Sequence, residues 1–195
     1  MKQNDINMDN ENKTPVLISY GEPVEAWELA KKKCFEYNNI PFSEVEKRDT
    51  FIKSFLGKTG ERITIVPPFN CDFGYNIEIG EDFFSNTNLT ILDGAKVIIG
   101  KNVFIAPNVD IYTATHPLVV KERIKGIEFV HPIIVGDNVW IGGHTVILPG
   151  VTIGDNSVIG AGSVVTHDIP ANVVAVGNPC RVMRVLSKDE LIDVE

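Results

Sequence analysis

From Ile134 to Ile169 the chain repeats in sixes: IVGDNV, WIGGHT, VILPGV, TIGDNS, VIGAGS, VVTHDI. An aliphatic residue returns at Val135, Ile141, Ile147, Ile153, Ile159 and Val165. Two positions earlier stands a second small or aliphatic residue: Ile133, Val139, Thr145, Val151, Ser157 and Ser163. This period matches neither an α-helix nor a hairpin strand; it is the signature of a hexapeptide β-helix. Each hexapeptide supplies one short strand and one corner of a triangular prism, and the aliphatic side chain points inward onto its counterpart in the next coil. No coil buries its apolar side alone, so coils must stack. Corners require residues that tolerate positive φ. That requirement accounts for Gly136, Gly142, Gly154 and Gly160, and for Asn102, Asn108, Asn138 and Asn156. The predicted fold is an all-β solenoid, a left-handed parallel β-helix.

The same register appears upstream at Ile99, Ile105 and Ile111, and the 24 residues from Ile111 to Val135 preserve it. Residues 113–130 break the repeat with His116-Pro117 and the charged run Lys121-Glu122-Arg123, which predicts a loop extruded from the prism. Ile91 and Ile99 are out of phase by two residues, which predicts a bulge around Asp93-Gly94. The first third follows a helical pattern instead. After Pro23, the residues Trp27, Ala30, Cys34 and Tyr37 share one face and are expected to pack together. A capping box at Ser43 and Glu46 opens a second helix that ends near Leu56, with Val45, Ile52, Phe55 and Leu56 on its apolar side. Ser187 and Glu190 suggest a capped, short C-terminal helix. The expected organisation is a disordered tail at 1–14, a helical region at 15–60, the β-helix at 61–186, and a C-terminal helix and tail at 187–195.

Composition narrows the field of functions. The 195 residues suffice for one domain, with 44% hydrophobic and 23% charged residues. No apolar run approaches the roughly 18 residues of a membrane span. The polar N-terminus lacks the pattern of a secretory signal. Three cysteines, Cys34, Cys71 and Cys180, are odd in number and show no CxxC spacing. They read as small buried hydrophobes in a reducing cytoplasm rather than as a disulfide framework. The formal net charge of -8 argues against nucleic-acid binding.

Four segments carry a more specific signal. Tyr112-Thr113-Ala114-Thr115-His116-Pro117 precedes the loop, and Asn138-Val139-Trp140-Ile141-Gly142-Gly143 follows it. Then come Pro149-Gly150-Val151-Thr152-Ile153-Gly154-Asp155-Asn156 and Val176-Gly177-Asn178-Pro179-Cys180-Arg181-Val182. Together, over roughly residues 43–186, they resemble the maltose and galactoside O-acetyltransferase family. The resemblance implies a cytoplasmic homotrimer that transfers acetyl from acetyl-CoA, a co-substrate rather than a resident cofactor, to a hydroxyl of a sugar or similar small acceptor. No metal is implied. His116 would be the general base, since an alcohol is a weak nucleophile at neutral pH and imidazole titrates about pH 6.5 in its ordinary state. Glu128 would orient it, and the Gly143 N–H would be the oxyanion donor. Trp140 would wall the cleft. Ala106, Gly143, Ala161 and Thr166 would contact the pantetheine arm, and Arg181 and Arg184 the phosphates. His167 stands where relatives commonly carry a lysine. Asp72, Asn86 and Asp93 match positions that line the sugar site. The acidic and basic pair that relatives carry in the helical region has no match around residues 18–27, where Trp27 is the alternative sugar contact.

Three rivals share the prism. One is an antibiotic acetyltransferase with chloramphenicol or a streptogramin as acceptor, although such relatives usually lack the helical region. Another is a zinc carbonic anhydrase, which needs three convergent histidines; the spacing of His116, His131 and His144 does not suit it. The third is a non-catalytic scaffold.

Overall fold

The computed structural model describes residues 15–16 and 24–191. Its core is a left-handed parallel β-solenoid of about six turns. Three parallel sheets form the faces of the prism. Face one stacks Lys58–Thr59, Ile77–Ile79, Val97–Ile99, Ile133–Val135 and Thr152–Ile153. Face two stacks Ile63–Ile65, Phe83–Ser85, Phe104–Ile105, Trp140–Ile141, Val158–Ile159 and Val173–Val176. Face three stacks Phe69–Cys71, Leu89–Leu92, Asp110–Tyr112, Val146–Ile147 and Val164–Val165. The chain visits the faces in the order one, two, three, and the parallel stack already begins at Lys58.

The sixfold spacing works as the sequence implies. Ile91, Ile111, Ile147 and Val165 form one buried ladder, and Ile105, Ile141 and Ile159 another. Burying each such side chain contributes about 1.5–3 kcal/mol. The small inner residues Thr145, Ser157 and Ser163 are also buried, and their hydroxyls donate to the carbonyls of Gly142, Pro170 and Gly160.

Corner asparagines adopt the left-handed conformation, with φ of 55° at Asn102, 58° at Asn108, 59° at Asn138 and 60° at Asn156. They also form a ladder of their own. Asn102 Nδ2 donates to Asn138 Oδ1, Asn138 to Asn156, and Asn156 to Asn172, at 2.8, 2.8 and 2.7 Å. The repeat glycines have a different cause from the one expected. Gly136, Gly142, Gly154 and Gly160 are not in the positive-φ set. The next coil passes too close instead: a Cβ on Gly142 would lie 2.5 Å from the Ala161 nitrogen.

Two helices close the N-terminal end. Helix α1, Val24–Asn38, buries Ala30, Cys34 and Tyr37, and Tyr37 Oη donates to the Ile65 carbonyl. Trp27 does not join that packing; it is 45% exposed. Helix α2, Val45–Phe55, starts after Glu44 with no side-chain cap, so the expected Ser43–Glu46 box does not form. Val45 is exposed, and Arg48 takes the buried position, its guanidinium over the Phe42 ring. The capping box at Ser187 and Glu190 does form, but it opens only a 3₁₀ turn, Lys188–Glu190. Residues 1–14 and 192–195, where a disordered tail and the C-terminal end were expected, lie outside the described residues.

Candidate active site

Length variation concentrates on the edge between faces three and one. Each rung of the first coils lies twenty residues after the last, as with Cys71 and Ile91 or Ile79 and Ile99. Two residues are added at the corners 72–76 and 93–96. The expected bulge at Asp93-Gly94 is therefore real and has a counterpart one coil below. At the third coil the same corner expands into the extruded loop.

That loop is built from its neck outward. Thr113 is buried; its Oγ1 donates to the Leu92 carbonyl at 2.6 Å and accepts from the Ala95 N–H at 3.0 Å. The His131 N–H closes the neck onto the Thr113 carbonyl at 2.8 Å. Ala114–Thr115 then pairs antiparallel with Glu128–Val130, and Pro15–Val16 adds a third strand, setting Val16 opposite Glu128. A short helix, α3, Val120–Arg123, fills the tip. The Arg123 guanidinium binds the Pro117 and Leu118 carbonyls across the turn.

His116 leaves this hairpin directly after Thr115. Its Nδ1 lies 3.2 Å from the Ile127 carbonyl and its Nε2 lies 3.4 Å from Glu128 Oε1. A carbonyl only accepts, so the first contact requires the proton on Nδ1. The Nε2 lone pair is then free to take a proton, and Glu128 stands beside the cation that would form. The imidazole is 53% exposed and Glu128 28% exposed, so both can be reached from solvent.

Below the loop on the same edge lies Asp72. It accepts from Lys31 Nζ at 3.0 Å and from the Trp27 indole at 3.3 Å, and the Lys31 ammonium sits 5.0 Å from the Trp27 ring centroid. Lys31 lies in α1 one turn after Trp27, just past residues 18–27, and it is the basic side chain that the fold sets against Asp72. Asp93, expected to line the acceptor site, is fully buried. One of its oxygens accepts from the Asp72 and Phe73 N–H groups, and the other from Gly74, at 2.9, 2.8 and 2.7 Å. Burial pushes its carboxyl above the ordinary range, and these backbone donors oppose the shift. Asp93 therefore holds the turn that presents Asp72.

The remaining candidates lie elsewhere. Asn86, Ala106, Gly143 and Ala161 occupy successive coils on the edge between faces two and three, where the Gly162 N–H binds the Gly143 carbonyl at 2.8 Å. Among the described residues the Gly143 N–H itself has no acceptor. Asn86 folds back to accept from the Thr87 N–H at 2.7 Å. Trp140 projects outward from face two, 55% exposed, on the strand beside Phe104. Thr166 and His167 share the His116 edge and contact each other at 2.8 Å. Arg181 and Arg184 lie on Arg181–Val185, which returns antiparallel along Val173–Val176. The Arg184 guanidinium is already engaged by both Glu190 oxygens at 2.6 Å. One chain thus places His116 and Gly143 on opposite edges of face three. Among the described residues no three His, Cys, Asp or Glu side chains gather as a metal-binding set.

The maltose acetyltransferase hexapeptide capping motif matches residues 19–60, and the bacterial transferase hexapeptide (six repeats) matches residues 132–167. Galactoside O-acetyltransferase of Escherichia coli (strain K12) is 53% identical over 154 residues, 79% of this chain and 76% of that protein. The chain belongs to the maltose and galactoside O-acetyltransferase family. Solved structures of the family superpose closely. A galactoside acetyltransferase in complex with coenzyme A gives a TM-score of 0.84 at 48% identity, covering 88% of this chain and 86% of that one. A maltose O-acetyltransferase from Clostridium difficile 630 gives 0.83 at 51% identity, covering 85% and 88%. This protein is accordingly an acetyltransferase. No helix among the described residues is long and apolar enough to cross a membrane.

Proposed function

We propose that this acetyltransferase moves the acetyl group of acetyl-CoA directly to a hydroxyl of a sugar or similar small acceptor, with Nε2 of His116 as the general base. The observation that carries the reading is the two-sided hold on the imidazole, Nδ1 against a backbone carbonyl and Nε2 beside Glu128. The acceptor oxygen attacks the thioester carbonyl carbon while Nε2 takes its proton. The resulting oxyanion is met by the Gly143 N–H. Collapse expels the thiolate, which takes the proton back from the imidazolium. A base so placed contributes about 10²–10⁴-fold.

His116 and Gly143 lie on different edges, so the reaction requires a second copy of the chain. Three prisms packed edge to edge about a threefold axis bring the His116 edge of one to the Gly143 edge of the next. The exposed Trp140 and Phe104 support an intersubunit wall. The small residues Ala106, Gly143 and Ala161 leave room for a pantetheine arm close to the backbone. Arg181 and Arg184, with Thr166 and His167, take the far end of the coenzyme. On the acceptor side stand Asp72, Lys31 and Trp27, an aromatic face with charged donors and acceptors of the kind that binds sugar hydroxyls, and Asn86. Three free, buried cysteines suit a reducing cytoplasm.

The test is His116→Ala, assayed by thiol release from acetyl-CoA over a panel of sugar and antibiotic acceptors. A folded trimer with turnover reduced at least 100-fold is expected. Wild-type turnover in that variant would end the proposal.

A further inference from the structure

The ladder of face three is aliphatic at Ile91, Ile111, Ile147 and Val165, but its first rung is Cys71. That rung is at the edge of its sheet, and α1 packs over it in place of another coil. The buried side of α1 sets Cys34 against it, with the two Sγ atoms 3.7 Å apart. Both thiols are free and both are buried. The contact between α1 and the first rung thus carries sulfur on both sides.

We propose that Cys34 and Cys71 form a reversible disulfide that locks α1 onto the first coil when the protein meets a disulfide oxidant such as oxidised glutathione. The Cys34 thiolate attacks one sulfur of the oxidant and expels one glutathione thiolate. Cys71 then attacks Cys34 Sγ in the mixed disulfide and expels the second. Two protein thiols are oxidised, one glutathione disulfide is reduced to two thiols, and the two protons lost by the protein pass to them. Bonding requires the sulfurs to close from 3.7 Å to about 2.05 Å. Closing that gap means moving α1 toward the first coil, to which Tyr37 and Asn38 also bind it. Oxidant reaches the pair when α1 opens locally.

The link would also pull on the acceptor side. Lys31 is one turn before Cys34, and its Nζ binds both the Cys71 carbonyl at 2.7 Å and Asp72 at 3.0 Å. This kinetic consequence rests on the acetyl-transfer reading; the disulfide itself does not.

The experiment incubates the folded full-length protein with oxidised glutathione, quenches it with acid, and counts thiols after denaturation. The expected count falls from three to one and returns to three with dithiothreitol, and peptide mass spectrometry joins Cys34 to Cys71. Cys71→Ser should stop at a glutathione adduct on Cys34. Three surviving thiols, or a link through Cys180, would overturn the proposal. Oxidised protein should show an acceptor KM shifted at least threefold with the acetyl-CoA KM unchanged; equal acceptor KM in both redox states overturns the kinetic part. Absence of any acetyl transfer by reduced protein would count against the transferase reading and leave the thiol result standing.

Discussion

Asp93→Asn separates a structural carboxylate from a substrate-binding one. Asparagine keeps one oxygen for the Asp72 and Phe73 N–H groups but turns an amide NH₂ toward the Gly74 N–H, now held at 2.7 Å by the second oxygen. One buried donor is orphaned and a second faces it, each costing about 1–3 kcal/mol. Removing a buried charge offsets part of this, which leaves a net loss of about 2–3 kcal/mol. For a chain of this size that lowers Tm by roughly 4–12 °C. The pH dependence has a definite sign. Burial raises the folded carboxyl above its ordinary 3.8, so its contribution is greatest below that value and is lost as pH rises through the folded value. The stability gap between wild type and variant should therefore narrow from acid toward neutral pH. Thermal melts from pH 4 to 7, with acceptor and acetyl-CoA KM measured separately, read out both effects. A variant as stable as wild type, with only its acceptor KM raised, would show that Asp93 meets the acceptor and refute the reasoning.

Ile141→Ala, in a fully buried rung, should cost about 2–5 kcal/mol in chemical denaturation; a loss under 1 kcal/mol would mean the coils relax around the void. Asn138→Gly keeps the backbone at its φ of 59° and loses only the ladder, whereas Asn138→Ala adds about 1–2 kcal/mol of left-handed strain, so the glycine variant should melt higher. Glu190 is held down to about 2 by the Arg184 guanidinium and the Ser187 donors. Its contribution is present above the ordinary carboxylate value of 4.5 and is lost as pH falls toward 2, so protection of the C-terminal turn against hydrogen exchange, relative to the intrinsic rate at each pH, should drop in that window and show no such step in Glu190→Gln.

The prism was legible because its inward positions obey one period over many coils, and a single aliphatic requirement explains each of them. The glycines were read correctly as corners for an incorrect cause, since a backbone from the next coil leaves no trace in local sequence. Trp27 shares the helical spacing of Ala30 and Cys34, yet it lies in the first turns of α1, and its indole reaches Asp72 rather than the core. His116 and Glu128, singled out by the family resemblance, do come within 3.4 Å of each other, but the hairpin that pairs their strands is too short for a period to register. Asp93 illustrates the remaining gap. The two-residue phase slip revealed the bulge, whereas the three backbone N–H groups that converge on its carboxylate exist only once the coil below is in place.

The enlarged corners at 72–76, 93–96 and 113–132 all leave the solenoid at one edge and return in register. Chain added there lengthens no strand and displaces no rung. Residues can thus be inserted or removed at that seam while the scaffold is untouched.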